Sequence, residues 1–302
     1  MMFNIVNKRS WFFIISTVLI LVSVVMLIAF GLEPGIDFAS GSELTISFEE
    51  EVADADLEEE LVNLGYTAEV EFSEGDFLIR TVELTSAEKE SLKEALTGSF
   101  GVLTERGFEN VNPIIAEETA RIAAIAVAVA AVGILIYITW AFHRMPKPFH
   151  YGTCAIIALV HDILLVLGIF SILGAILKWE IDLTFIIGVL AVIGYSVNNT
   201  VVVFDRIREN IRRGISANFE IVVNSSLIET LSRSLNTSLT TLIVVLALQL
   251  FVGMSIQNFA VVLLVGVVAG TYSSLFIAPL LLVAWEKGEL SRLTRWLPLA
   301  RR

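Results

Sequence analysis

The stretch GYSVNNTVVVFDRIREN runs from Gly194 to Asn210 and changes character halfway. Its first half reads as the inside of a membrane, its second half as a segment held in water. Two asparagines, Asn198 and Asn199, interrupt a run of Val, Ile and Phe, and an arginine-rich exit follows. Whether this is a core helix of a soluble protein or a membrane crossing decides the fold. The rest of the chain answers, because hydrophobic residues make up 56% of its 302 residues and the mean hydropathy is +0.79. Apolar runs of about 20 residues cross roughly 30 Å of hydrocarbon. Six such runs occur, near 11–31, 119–141, 150–176, 183–204, 235–252 and 258–285. Backbone in lipid must satisfy its own hydrogen bonds, so each run reads as a transmembrane helix.

The net charge of −12 is unevenly spread. Residues 32–118 hold 23 acidic and 4 basic side chains, whereas the remainder holds 9 acidic and 16 basic. Thirteen of these 16 cluster at Lys8 and Arg9, at Arg144 and Lys147 beside His143, at Arg206, Arg208, Arg212 and Arg213, and at Lys287, Arg292, Arg295, Arg301 and Arg302. Short loops rich in Lys and Arg stay in the cytoplasm. This predicts a multi-pass protein of the cell (inner) membrane, embedded in lipid, with both termini cytoplasmic and residues 32–118 outside. The first run follows Lys8 and Arg9 as a signal sequence would, yet it is long and lacks a small-x-small cleavage site, so it reads as a retained helix. The single cysteine, Cys154, offers no disulfide framework.

The expected organisation is an N-terminus and first helix over 1–31, an extracytoplasmic α+β domain over 32–118, helices two to six over 119–285, and a cytoplasmic tail over 286–302. Within 32–118, Leu44, Ile46 and Phe48 alternate as in a strand, and Leu57, Leu61 and Leu64 repeat as in a helix that Gly65 would end. AEVEF and FLIRTVEL flank the turn-rich SEGD as a hairpin, TSAEKESLKEALTGSF reads as a second helix capped near Ser86, and ENVNPIIAEE supplies a last strand. The order β-α-β-β-α-β matches a ferredoxin-like unit. Its many glutamates read either as a solvated face or as an acidic binding surface. Between spans four and five, about 206–232, Phe219, Val222, Val223 and Leu227 mark an amphipathic helix that could lie along the membrane face.

Three intramembrane constellations stand out. His161 and Asp162 sit mid-span in LVHDILL, where an ionisable group costs several kcal/mol unless it is paired, neutral or facing a cavity. They read as a proton or ion path, or as a structural pair locking helices together. Arg233, Thr237, Thr240 and Thr241 make one polar stripe on span five. They read as a functional face, or as a snorkelling arginine with hydroxyls bonded to their own helix. In span four, Tyr195 and Asn199 share a face with Ser196 and Asn198 beside it, as a polar site or as interhelical glue. Beyond them Asp205, Arg208 and Glu209 are spaced to pair along the helix. No nucleotide loop, His/Cys metal spacing or Ser/His/Asp arrangement is present, so neither an enzyme nor a cofactor or metal is expected. An acidic external domain gives no support for nucleic-acid binding.

GIDFASG at 35–41, LVHDILLVLGIF at 159–170, GYSVNNTVVVFDRIREN at 194–210 and RSLNTSLTTL at 233–242 resemble, in order, the signature blocks of the SecD/SecF family, and of its SecF members in particular. The external motif rests on Gly35, Asp37, Phe38 and Gly41. The resemblance implies an RND-like membrane subunit that works with SecD beside the SecYEG channel. There it would use the proton-motive force to help complete the passage of a translocating preprotein. Family members place a carboxylate in span four and an arginine in span five on the proton path; Arg233 matches the arginine, and Asn199 stands at the carboxylate's position. The family usually reads asparagine–aspartate where this chain reads Asn198–Asn199, so the titrating group would come from SecD or from Asp162. Ser40 likewise stands where the external block usually has the first of two glycines. Two other readings are half of a proton-driven small-molecule or lipid exporter, and a non-conducting subunit that supports SecD.

Overall fold

A computed structural model describes residues 4–73, 75–251 and 256–289. Glu74 of the SEGD turn, Val252 at the end of the fifth run, and the tail with Arg292, Arg295, Arg301 and Arg302 lie outside the described residues. The chain divides into two compact units, one formed by Pro34–Ala124 and the other by the remainder.

After the first apolar helix, α1 (Arg9–Phe30), the smaller unit contains β1 (Gly41–Phe48), α2 (Asp54–Asn63), β2 (Glu69–Ser73), β3 (Asp76–Thr81), α3 (Ser86–Phe100) and β4 (Leu103–Val111). The sheet order is β2-β3-β1-β4, with every neighbouring pair antiparallel. This is the β-α-β-β-α-β arrangement read from the sequence. Side chains two apart on a strand share a face, so Leu44 and Ile46 of β1 join Phe77 and Ile79 of β3 beneath Leu57, Leu61, Leu92 and Leu96 of the two helices.

Three local details differ from the sequence expectation. Leu64 is 38% exposed rather than core, because the helix closes before it. Tyr66 N donates to Leu61 O at 2.9 Å and Gly65 N to Val62 O at 3.0 Å, with Gly65 at φ +87°, so the left-handed glycine turns the chain at the helix end. The cap of α3 is Thr85, not Ser86. Its hydroxyl accepts from Glu88 N at 3.3 Å while the Glu88 carboxylate accepts from Thr85 N at 2.8 Å, a reciprocal capping box. The last strand begins at Leu103 and has ended before Pro113, which opens the next helix.

The entry to β1 is tight. Ser40 sits at φ +67°, ψ +163°, a region almost reserved for glycine. Gly41 follows at φ +123°, where a Cβ would lie 2.5 Å from Thr81 O. Both positions ask for glycine, and only the second has it.

The larger unit holds α1 with α4 (Pro113–Ala141, from Ile125 onward), α5 (Pro148–Leu177), α6 (Leu183–Arg212), α7 (Phe219–Phe251), α8 (Gln257–Phe276) and α9 (Ala278–Glu286). The last two form one span bent at Ile277, just before Pro279, whose ring cannot continue the hydrogen-bond ladder. Among the described residues, six spans are thus long and apolar enough to cross a membrane. The sixth is the most enclosed and α1 among the least.

The separate amphipathic helix expected near 206–232 is instead the first part of α7, which runs unbroken for 33 residues. Its apolar residues Val222, Val223 and Leu227 are buried in the protein core with Phe204 and Ile207 rather than spread on a membrane face. Asn224 Oδ1 also accepts from Ile5 N at 2.8 Å. Small residues set the helix spacing. A Cβ on Gly266 of α8 would overlap Val192 of α6, and one on Gly270 would lie 3.0 Å from Ser196 Cβ.

Replacing Ser40 with glycine should stabilise the small unit by about 1 kcal/mol by removing the left-handed strain, read as a rise in the denaturant midpoint of the full-length protein. The hydrogen bonds from Thr85 hold Glu88 below the usual carboxylate range. Since a depressed carboxylate contributes stability above its unfolded titration and loses it as pH falls through the folded one, Thr85→Ala should weaken helix α3 at neutral pH. It should have less effect in acid, measured by amide hydrogen exchange at the two pH values.

A buried carboxylate inside the helix bundle as the candidate functional site

Helix α5 carries Asp162 into the bundle interior at 0% exposure. Two other helices supply donors to the same oxygen. Ser196 Oγ of α6 donates to Oδ2 at 2.6 Å, and Ser273 Oγ of α8 donates to it at 2.7 Å. The second oxygen, Oδ1, lies 3.0 Å from Nδ1 of the neighbouring His161. The Gly270 contact explains how this is possible, because without a side chain there α6 and α8 approach closely enough for both hydroxyls to reach one atom. Hydrogen bonds to a carboxylate are short and strong when dry, and they offset part of the cost of burying it.

Polar groups continue outward from this centre along two branches. The imidazole of His161 stacks on Tyr272 with ring centroids 6.0 Å apart. The Tyr272 hydroxyl donates to Phe12 O at 3.0 Å and accepts from Ser16 Oγ at 3.2 Å, which brings α1 to the site. On the other branch Tyr195 donates to Ser238 Oγ at 2.9 Å, and Ser238 and Thr271 hydroxyls are 2.6 Å apart, joining α6, α7 and α8. The run Gly270–Ser274, GTYSS, supplies Thr271, Tyr272 and Ser273 from one turn of helix.

The residues singled out in the sequence divide between this seam and the outer surface. Asp162 and Tyr195 belong to the seam. Asn199 is buried at 3% exposure, and its amide nitrogen has no hydrogen-bond partner among the described residues. Asn198, one residue back, is exposed. Arg233 and Thr237 are also exposed, on the outer side of α7. The Thr237 carbonyl accepts from the Thr240 and Thr241 hydroxyls at 2.9 Å each, while Arg233 makes no hydrogen bond or ion pair among the described residues. Arg233 therefore meets neither Asn199 nor Asp162. The inward face of α7 belongs to Ser234 and Ser238, and about 100° of helix per residue turns Arg233 away from them. Sequence reading placed Ser196 beside the site without a role and passed over Ser273, Tyr272, Thr271, Ser238 and Ser16. The signal available was the run of small polar residues in an otherwise apolar span. Among the described residues, no three His, Cys, Asp or Glu side chains come together as metal ligands would.

One end of the bundle is charged. Arg9 pairs with Glu220 at 3.1 Å and Glu289 at 2.5 Å, and Lys287 also reaches Glu220 at 2.6 Å. Arg206 contacts both Glu209 and Glu229 at 2.5 Å, Arg213 reaches Glu209, and Arg208 pairs with Asp205. The Asp205–Arg208 pair that the sequence spacing allows is thus formed, and Glu209 pairs with Arg206 and Arg213. In the small unit, Gly35 precedes the helical turn Ile36–Ala39 that holds Asp37 and Phe38, and Gly41 opens β1.

Residues 91–288 match the family model described as protein export membrane protein SecD/SecF, C-terminal, and residues 25–52 match the SecD/SecF GG motif. A protein translocase subunit SecF of Thermobaculum terrenum is 42% identical, with 97% of each chain covered. One of Anaerolinea thermophila is 40% identical over 95% of this chain and 96% of that one. The protein translocase subunit SecDF of Bacillus subtilis is 34% identical, the match covering 95% of this chain and 38% of that one. The crystal structure of SecDF from Thermus thermophilus, a translocon-associated membrane protein, superposes with a TM-score of 0.84 at 32% identity, covering 95% of this chain and 39% of that chain. With full-length relatives at this identity and a family model spanning most of its membrane helices, the chain belongs to the SecD/SecF family of protein-export membrane proteins.

Proposed function

We propose that this translocase subunit works with SecD beside the SecYEG channel and uses the proton-motive force to help complete the passage of preproteins across the membrane. The observation that carries the reading is the open polar face of α7. Arg233 and Thr237 lie exposed on a helix whose most apolar stretch is itself largely uncovered. A guanidinium stays charged at any accessible pH, and exposing it to lipid at depth costs several kcal/mol. That face therefore calls for a polar helical partner. In the Bacillus relative, the part resembling this chain is 38% of a longer chain named SecDF. A second helical subunit of the SecD type fits the face and would supply the counter-ion that Arg233 lacks among the described residues.

Orientation follows from the charged end of the bundle. Lys8, Arg9, Arg206, Arg208, Arg213 and Lys287 gather where α1 and α7 begin and α6 and α9 end. Basic flanks favour the cytoplasm, so both termini face it and residues 32–118 face outward. Export driven in this way needs no catalytic residue or cofactor of the chain's own. Movement of the outer domain would act directly on the preprotein. Asn199 keeps the shape of a carboxylate without its titration, and it leaves the proton-carrying role to other groups. A reading as a non-conducting support for SecD is favoured by Asn199 alone.

Cysteines introduced singly at exposed positions in 50–110 should react with a membrane-impermeant reagent in intact cells; labelling only after lysis would reverse the orientation. In membrane vesicles carrying SecD and the channel, Arg233→Leu should reduce gradient-stimulated export of a stalled preprotein at least tenfold while the protein inserts at normal levels. Asn199→Asp should leave gradient-stimulated export intact or raise it. Full activity of Arg233→Leu, or a response to the gradient that is absent from the unaltered protein, would end the proposal.

A further inference from the structure

The geometry around Asp162 goes beyond what helix packing requires. Two hydroxyls from two helices converge on one oxygen, Oδ2, at 2.6 and 2.7 Å, and the other oxygen faces His161 Nδ1 at 3.0 Å. The far nitrogen of His161, Nε2, is buried and has no partner among the described residues. With Nδ1 donating to the carboxylate, Nε2 presents a lone pair to the bundle interior. A buried imidazole with one nitrogen committed to a carboxylate and the other free is built to accept a proton on one side and pass one on from the other.

We propose that His161 and Asp162 together form an intramembrane site that takes up and releases one proton, with His161 as the relay and Asp162 as the store. In loading, a proton from water bonds to Nε2. The Nδ1–H bond breaks and its proton forms an O–H bond to Oδ1. The product is a neutral carboxylic acid donating from Oδ1 to Nδ1, beside an imidazole protonated on Nε2. One proton has entered, no electron pair has left the site, and its charge has gone from −1 to zero. Unloading is the reverse. Oδ2 keeps both serine hydroxyls throughout, but their bonds pass from charge-assisted to neutral, which makes them about half as strong. Loading thereby loosens the hold of α5 on α6 and α8 at one point and gives the proton a mechanical consequence.

The surroundings contain little else that titrates. From its own helix Asp162 meets His161; α8 brings the Ser273 hydroxyl and the Tyr272 ring against His161; α6 brings the Ser196 hydroxyl; α1 brings Ser16, through Tyr272. Arg233 of α7 makes no ion pair there among the described residues. The use of this proton to drive export rests on the function proposed above; its binding does not.

Infrared difference spectra of the full-length protein in lipid nanodiscs, recorded after a pH jump, test the site directly. A carboxylic C=O stretch should appear and vanish with pH, and Asp162→Asn should remove it. In Ser273→Ala the band should persist at higher frequency, because the C=O at Oδ2 loses one hydrogen bond, and this variant keeps Asp162 itself. His161→Gln retains a donor to Asp162 but cannot relay, so the band should develop at least tenfold more slowly. No pH-dependent band that Asp162→Asn removes would overturn the site, and an unchanged rate in His161→Gln would overturn the relay. A titrating band in a protein whose export ignores the gradient keeps the site and ends the export reading. A gradient-driven protein without the band does the opposite.

Discussion

A carboxylate in the middle of an apolar helix bundle constrains everything around it. Burying such a group without partners costs several kcal/mol, so neighbouring helices must bring donors to Asp162 and bring them close. Ser196 and Ser273 do so from α6 and α8 at 2.6 and 2.7 Å. Helices with large residues at their contact could not stand near enough. Gly266 against Val192 and Gly270 against Ser196 provide the close approach. In a membrane, where apolar surface gains little by leaving lipid, small residues and interhelical hydrogen bonds are what associate helices. The polar site and the glycine seam are therefore one solution to one problem.

The polar residues of the bundle fall into two populations with different solvents. Those of the seam, Ser16 with Tyr272 on one branch and Tyr195 with Ser238 and Thr271 on the other, bond to one another inside the protein, while His161 Nε2 has no partner among the described residues. Those of the charged end, including the Arg9, Glu220, Lys287 and Glu289 group, pair at the edges of the spans, where long side chains reach water. Arg233 belongs to neither population. It is exposed on α7 and makes no ion pair among the described residues, and the partner surface proposed above would meet it there.

The small α+β unit is stabilised by ordinary means. One sheet face packs two helices through leucines, a capping box starts α3, and a left-handed glycine ends α2. Its departure is Ser40 at the entry to β1, where a glycine would carry no strain. The Lys89 and Lys93 ammonium groups both reach Glu105, and they hold that carboxylate below its usual range, so some of the unit's many acids are paired rather than merely solvated.

The sequence by itself determined the spans, their number, and the element order of the small unit. These depend on quantities that are local along the chain: about 20 apolar residues to cross a bilayer, period two for strands, and 3.6 for helices. It also marked Asp162, since a lone acid in a long apolar run is visible without coordinates. It did not determine which residues meet that acid. Ser196 and Ser273 are 77 positions apart and neither is unusual alone, while Arg233 and Asn199 match one motif pattern yet face apart. Side-chain partners across helices are fixed by rotation and spacing of whole helices. Those follow from glycine contacts and hydroxyl pairs distributed over the chain, and only the tertiary structure brings them together. The continuity of α7 was decided at the same level. Val222, Val223 and Leu227 suit a membrane surface and a protein core equally well by composition, and the core took them because Phe204 and Ile207 offered closer packing than lipid.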